Sequence, residues 1–319
     1  MADVRILETP ASARGERLDK FLAQNLAAEG FSRSRLRTLF DTETVRVDGR
    51  PRPARYCLRG GERLELDLPQ IRVSTLKPAN ISLDILYEDK DLLVVNKPAG
   101  LVTHPGAGHY DDTLANALLR HCGPALKALP GSEQRPGIVH RLDKDTSGCL
   151  VAAKSRAAFT GLQAMIAAHE VTRLYLALVW GDLAEDTGTI EAPLGRGADR
   201  RRMALRPESG KAAVTHFSVR ERFARACELE CRLETGRTHQ IRVHLRGIKH
   251  AVVGDLSYGR VPQDLTVGER KALDQILGRQ ALHAYRLQFK HPVSGRPVRV
   301  RAPEPDDYKA ARKLLRGAA

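Results

Sequence analysis

The chain has 319 residues, 42% of them hydrophobic and 28% charged, a balance typical of a globular protein with room for two domains and a sizeable core. Lys and Arg number 52 against 38 Asp and Glu, a net charge of +14, which points to a polyanionic partner. No apolar run approaches the roughly 18 residues of a membrane span, and the start, MADVRILETPASARGERL, lacks a hydrophobic signal region, so a cytoplasmic setting without membrane attachment is expected.

The first pattern along the chain is compact and covers residues 14–70. Leu18, Phe21, Leu22 and Leu26 recur at helical spacing. Ser32 can cap a second helix carrying Leu36, Leu39 and Phe40. That helix also bears Arg33, Arg35 and Arg37, with Arg33 and Arg37 one turn apart on a shared face. The face either rests on a phosphate backbone or is simply solvated. Val45 and Val47 alternate with polar residues before an Asp48-Gly49 turn, and Leu64, Leu66 and Leu68 alternate in ERLELDLP.

Residues 71–80 read as a linker, and residues 81–305 as a second domain. LDILY and LLVVNKP predict strands joined by the turn 88–91. Thr113–Arg120 and Ala157–His169 predict helices. RLYLALVW, ACELECRL, AYRLQF and PVRVRAP predict further strands. Strands outnumber helices, which predicts an α+β class with a mixed, mostly antiparallel sheet.

The segment richest in chemistry is GIVHRLDKDTSGCLVAAK, residues 137–154, where a charged turn separates two apolar strand-like pieces. Asp143 sits in that turn, and Arg141 projects to the same side if the chain is extended. An isolated Asp in a turn is usually idle. Five scattered cysteines give no disulfide framework and no zinc spacing. His239 and His244 are five apart with no suitably spaced third ligand, so no metal is expected.

HRLDKDTSG is similar to the signature of the RluA/RluD family of large-subunit ribosomal RNA pseudouridine synthases. LLVVNKPAGLVTHPGAG, VTRLYLALVWG, LETGRTHQIRVHL, VVGDLSYG and QALHAYRLQFKHPVSG resemble the family's other blocks, in order. The front unit resembles an S4 RNA-binding domain, and HPGAG together with that domain resembles the RluD-like branch.

The resemblance implies isomerisation of specific uridines to pseudouridine in large-subunit (23S) ribosomal RNA. Asp143 becomes the catalytic nucleophile, Arg242 of HQIRVH its partner cation, and Tyr175 the ring that stacks on the target uracil. Arg141 takes the space vacated by a flipped-out base. Arg173 stands where the family often has Lys; charge is kept, although the two donors differ. His140, His239 and His283 fall inside family motifs as packing and hydrogen-bonding positions, and Lys97 as a structural residue or a weak RNA contact. The implied partner is ribosomal RNA or a pre-ribosomal particle, bound by a monomer.

The chemistry fits those residue types. Breaking the N1–C1′ bond needs a nucleophile or anionic support at C1′, and a carboxylate offers both. Attack at C6 of the base would call on the same carboxylate. The uracil anion is resonance-stabilised and stays in the pocket, so one Asp suffices, and an isomerisation demands no cofactor. A cation beside a buried carboxylate keeps it ionised. Arg196, Arg200, Arg201, Arg202 and Lys211 extend the expected RNA track, with Arg33 and Arg37 in front.

Two other readings share part of the pattern. Asp143-Lys144-Asp145-Thr146 imitates the start of an Asp-nucleophile phosphatase, but His140 and Arg141 interrupt the apolar strand that family needs, and no later acid pair stands ready for Mg²⁺. An RNA-binding or ribosome-assembly factor without catalysis would not require Asp143, Tyr175 and Arg242 together.

Overall fold

The computed structural model describes residues 3–317 except 27–35, 37–38, 41–43, 69–75, 107, 130–134, 198, 200–201, 260–261 and 263–264. The chain divides into two compact units, Met1–Thr75 and Leu76–Ala319. Arg33, Arg35, Arg37, Arg200, Arg201 and the Ser32 cap lie outside the described residues.

The front unit holds a four-stranded sheet in the order β1 (Asp3–Glu8), β4 (Arg63–Leu68), β2 (Val45–Val47), β3 (Arg50–Pro51). α1 (Leu18–Asn25) buries Leu18, Phe21 and Leu22 against Val45, Val47, Leu64 and Leu66. The alternation read in β2 and β4 is thus the core face of the sheet. Asp48 and Gly49 turn β2 into β3 with φ of 48° and 73°, the left-handed pair that a tight hairpin needs. β1, which pairs with β4 antiparallel, carries a pattern too short and too charged to stand out.

The second unit is built on a nine-stranded sheet. Its strands are β5 (Ile85–Glu88), β6 (Leu92–Lys97), β7 (Ser147–Ala153), β8 (Thr172–Trp180), β9 (Thr187–Glu191), β12 (Val214–Arg222), β13 (Ala226–Leu233), β14 (Leu282–Lys290) and β15 (Pro297–Arg301). The order is β5-β6-β7-β14-β8-β13-β12-β9, and β15 pairs with β14 beyond the short stretch that β7 occupies. Only β7 and β14 run parallel, so the sheet is mostly antiparallel and the class is α+β, as the strand count predicted. A two-stranded hairpin, β10 (Leu194–Arg196) and β11 (Met203–Leu205), stands apart.

β7 is buried along its whole length, which is why SGCLVAA reads as a continuous apolar run and not as alternation. Gly148 adopts φ 114° where β7 meets β14, and any Cβ there would collide with the Ala284 carbonyl. That close approach fixes the start of β7, just after the turn that carries Asp143.

The helices are α2 (Leu114–Cys122), α3 (Arg156–Ala167), α4 (Gln240–Gly247), α5 (Val267–Leu277) and α6 (Asp306–Gly317). α2 and α3 match the predicted helices. The reading passed over α5, although Thr266 and Glu269 form a capping box at its start. α6 lies past residue 305 and buries Tyr308, Ala311 and Leu315. No helix among the described residues is long and apolar enough to cross a membrane.

Candidate active site

The turn before β7 is held by its carbonyls. Leu142 O accepts from the Thr103 hydroxyl at 2.8 Å, and Asp143 O from the Thr146 amide at 3.1 Å. Lys144 O accepts from Lys97 Nζ at 2.9 Å and from the Gly100 amide at 3.0 Å. Asp145 O accepts from Arg279 Nη1 at 3.1 Å. Four successive carbonyls are therefore tied, and the Asp143 side chain leaves from a rigid backbone.

Lys97 is fully buried, with its three ammonium protons matched to the carbonyls of Pro98, Leu101 and Lys144. Burial pushes its pKa down to about 7, against the pull of Asp145 and Asp143. Of the two roles open to it in sequence, it fills the structural one, because no RNA can reach it. Arg279 forms a two-pronged pair with Asp307 of α6 and spends its remaining nitrogen on the turn. Neither Arg279 nor Thr103 stood out in sequence, because their partners are more than 25 residues away.

The Asp143 side chain is 15% exposed and opens into a cavity of about 610 Å³. Its Oδ2 accepts from Arg242 Nη1 at 3.1 Å. Arg242, on α4, donates Nε and Nη2 to Asp255 at 2.7 and 2.9 Å, and its guanidinium lies 5.0 Å over the Tyr258 ring. The Asp255 carboxylate is fully buried and also accepts the amides of Ser257 and Tyr258. Burial alone would raise Asp255, but the hydrogen bonds and charge of Arg242 hold it below the usual carboxylate range. Burial alone would lower Arg242, and Asp255 and Asp143 together carry it above its ordinary value. Asp255 carried no role of its own in the sequence reading; its position in GDLSYG, two and three residues before the amides it caps, is the local signal.

Asp143 Oδ1 faces His239 Nε2 at 3.9 Å. His239 thus belongs to the site and is more than the packing position read from sequence. Tyr175, on β8, lines the same cavity and is buried, its phenol pushed up to about 12 by that burial. Two residues earlier on the same strand face, buried Arg173 donates Nη2 to the Glu234 carbonyl at 2.9 Å. His140 and His283 do serve packing and hydrogen bonding: His140 Nε2 accepts the Val151 amide at 3.0 Å, and His283 Nδ1 meets the Ser147 hydroxyl at 2.9 Å.

Arg141 is exposed at the cavity wall. Among the described residues it makes no ion pair with Asp145. Arg196 and Arg202 lie at the β10–β11 hairpin, outside the cavity lining, where Arg202 pairs with Asp199 at 3.8 Å. The cavity therefore combines a carboxylate with one unclaimed oxygen, a tyrosine ring and a cationic rim. Such a set can attack or support an electron-poor carbon beside a flat aromatic group.

Elsewhere, Asp89, Asp91 and His291 each bring one possible ligand atom within 4.8 Å of the others. His291 Nδ1 accepts the amides of Val293 and Ser294, and its buried Nε2 lies 2.9 Å from an Asp89 oxygen without making a hydrogen bond.

A family model described as RNA pseudouridylate synthase matches residues 91–246. The chain is 46% identical over 322 residues to a ribosomal large subunit pseudouridine synthase D of Xanthomonas campestris, covering 99% of this chain and 93% of that one. It is 49% identical over 306 residues to the protein of the same name in Xylella fastidiosa, covering 93% and 88%. Among solved structures, human RNA pseudouridylate synthase domain containing 4 superposes with a TM-score of 0.57 at 27% identity, covering 73% of this chain and 92% of that one.

Proposed function

The chain belongs to the RNA pseudouridine synthase family, and from that premise we propose that it converts specific uridines of large-subunit ribosomal RNA to pseudouridine, with Asp143 as the nucleophile. The relatives named above act, by name, on the ribosomal large subunit. The observation that carries the role of Asp143 is its split environment: one oxygen is tied to Arg242 while the other faces a cavity of about 610 Å³ shared with Tyr175.

In this reading a uridine turned out of its stack enters the cavity. Asp143 Oδ1 bonds to C1′ as the N1–C1′ bond breaks, and the uracil leaves as an anion that stays in place. The base turns until C5 faces C1′. C5 then attacks, the C1′–O bond breaks, and the carboxylate is regenerated. Loss of the C5 proton and gain of one at N1 complete an isomerisation with no net change in composition. Tyr175 stacks on the base and its hydroxyl assists removal of the C5 proton. Arg242 holds one oxygen of Asp143 in place, and Asp255 aims Arg242.

The front unit is read as an S4-like RNA-binding domain, with Arg33 and Arg37 among its RNA contacts. Arg141 fills the space left by the extruded base, and Arg196 and Arg202 track phosphates. The protein works as a cytoplasmic monomer on ribosomal RNA or a pre-ribosomal particle, without cofactor or metal. The test is tritium release from C5-labelled uridine in large-subunit RNA, together with pseudouridine mapping in cells lacking the protein. Loss of particular pseudouridines in those cells is the expected result. An unchanged pseudouridine map, with no tritium released by the purified protein, would sink the proposal.

A further inference from the structure

His239 occupies an unusual backbone position. It precedes α4 at φ 56° and ψ 21°, the left-handed region that a residue with a Cβ rarely adopts. Such strain persists only where surrounding contacts hold it. The contact here is Tyr258. Its buried hydroxyl lies 2.8 Å from His239 Nδ1 and 2.7 Å from the Met203 amide.

The directions of these bonds follow from the donor inventory. The Met203 N–H can only donate, so it uses an acceptor site of the Tyr258 oxygen. The one hydroxyl proton is then free to point at His239 Nδ1, which accepts in that arrangement. A neutral imidazole accepting at Nδ1 carries its proton on Nε2, the nitrogen that faces Asp143 Oδ1 at 3.9 Å. Burial holds His239 below its ordinary pKa, which favours this neutral form.

We propose that Tyr258 is a positioning residue that fixes the tautomer of His239, so that a neutral N–H donor stands beside the unclaimed oxygen of Asp143 and the base bound there. The other tautomer would turn a lone pair towards the carboxylate, which repels it and offers nothing to an oxygen of the base. Tyr258 also packs with Leu194 and Val243, with Met203 against them, so the basic β10–β11 hairpin and the His239 tautomer depend on one side chain. The charged groups facing His239 are Asp143 and Arg141 from the turn before β7, Arg242 from α4, and Asp255 beside Tyr258.

This inference rests on the reading of Asp143 as nucleophile, so its first test avoids activity. In protein labelled with ¹⁵N-histidine, the His239 resonances, identified by their loss in His239→Gln, should report an Nε2–H tautomer. Tyr258→Phe keeps the ring over Arg242 and removes only the hydroxyl. It should convert His239 to a mixture of tautomers and move its titration to higher pH, because no donor then competes for Nδ1. An Nδ1–H tautomer in the unaltered protein, or an unchanged spectrum in Tyr258→Phe, overturns the inference whatever the enzyme does.

The second test is kinetic. Tyr258→Phe should lower kcat about tenfold, the worth of one hydrogen bond, with KM nearly unchanged and the acid limb of the kcat profile moved to higher pH. His239→Gln supplies an N–H that needs no tautomer, so adding Tyr258→Phe to it should cost little more. Equal losses from Tyr258→Phe in both backgrounds would mean that the hydroxyl is merely structural. Tritium release by the unaltered enzyme tests the nucleophile reading separately.

Discussion

Asp143 receives from Arg242 the one terminal nitrogen that Asp255 leaves unclaimed. The arginine is therefore aimed by a buried acid before it meets Asp143. The two carboxylates differ accordingly: Asp255 is saturated by four donors, while Asp143 keeps an oxygen for chemistry.

Because Asp255 neutralises Arg242 by itself, Asp143→Ala strands no buried charge. It should abolish isomerisation, a loss of at least about 10⁴-fold, while thermal stability and RNA affinity stay near those of the unaltered protein. Tritium release, a melting curve and a filter-binding titration check the three parts. Residual turnover within tenfold would remove Asp143 from the mechanism.

Asp255→Asn breaks the paired charge at its buried end. It should cost about 3 kcal/mol of stability and lower kcat, because Arg242 loses its aim. Urea denaturation measures the first effect and single-turnover kinetics the second. Full activity in this variant would show that Arg242 does not need its anchor.

Lys97→Met removes the donor shared by three buried carbonyls and loosens the turn at Lys144. A loss of about 3 kcal/mol is expected, with a fall in kcat that outruns any change in RNA affinity. A neutral effect on denaturation would mean that water replaces the ammonium at no cost.

Acid should destabilise the protein well before its carboxylates titrate. Burial lowers His140 to about 3 and His283 and His104 to about 4. Above pH 6.5 these rings are neutral both folded and unfolded and contribute no pH dependence. Below it the unfolded chain takes up protons that the folded one refuses, so stability falls with falling pH, by up to about 4 kcal/mol per pH unit for three protons. Denaturant midpoints between pH 7 and 4.5 check this. A flat profile would mean that the folded protein charges these histidines.

Arg196→Ala and Arg202→Ala should weaken RNA binding evenly across substrates. Each should reduce the slope of log affinity against log salt by just under about one, the signature of a lost phosphate contact. Neither should change single-turnover rates at saturating RNA. An unchanged salt slope would remove the hairpin from the RNA track.

Much of the fold was legible in the chain. β6, β8, β13 and β14 announce themselves by aliphatic and aromatic runs, and α2 and α3 by spacing. α5 was missed because its apolar positions are sparse and its capping box sits in a polar stretch. Asp143, Tyr175 and Arg242 were recognisable as a set through ordered motifs, and they line one cavity. His239, Asp255 and Tyr258 lay inside those motifs too, but nothing local distinguishes a packing histidine from one whose far nitrogen faces a carboxylate.

The sequence by itself determined the local order: where strands and turns fall, which turn carries the carboxylate, and which charge excess meets a polyanion. These follow from spacing, which is a property of neighbours along the chain. The tertiary structure decided which charges meet. Asp143 and Arg242 are 99 residues apart, and Arg279 and Asp145 are 134 apart. Arg279 reaches Asp145 because β14, which it precedes, pairs beside β7 in a sheet whose spatial order departs from chain order; Arg242 reaches Asp143 from α4, and partner choice across such distances is set by packing and not by periodicity.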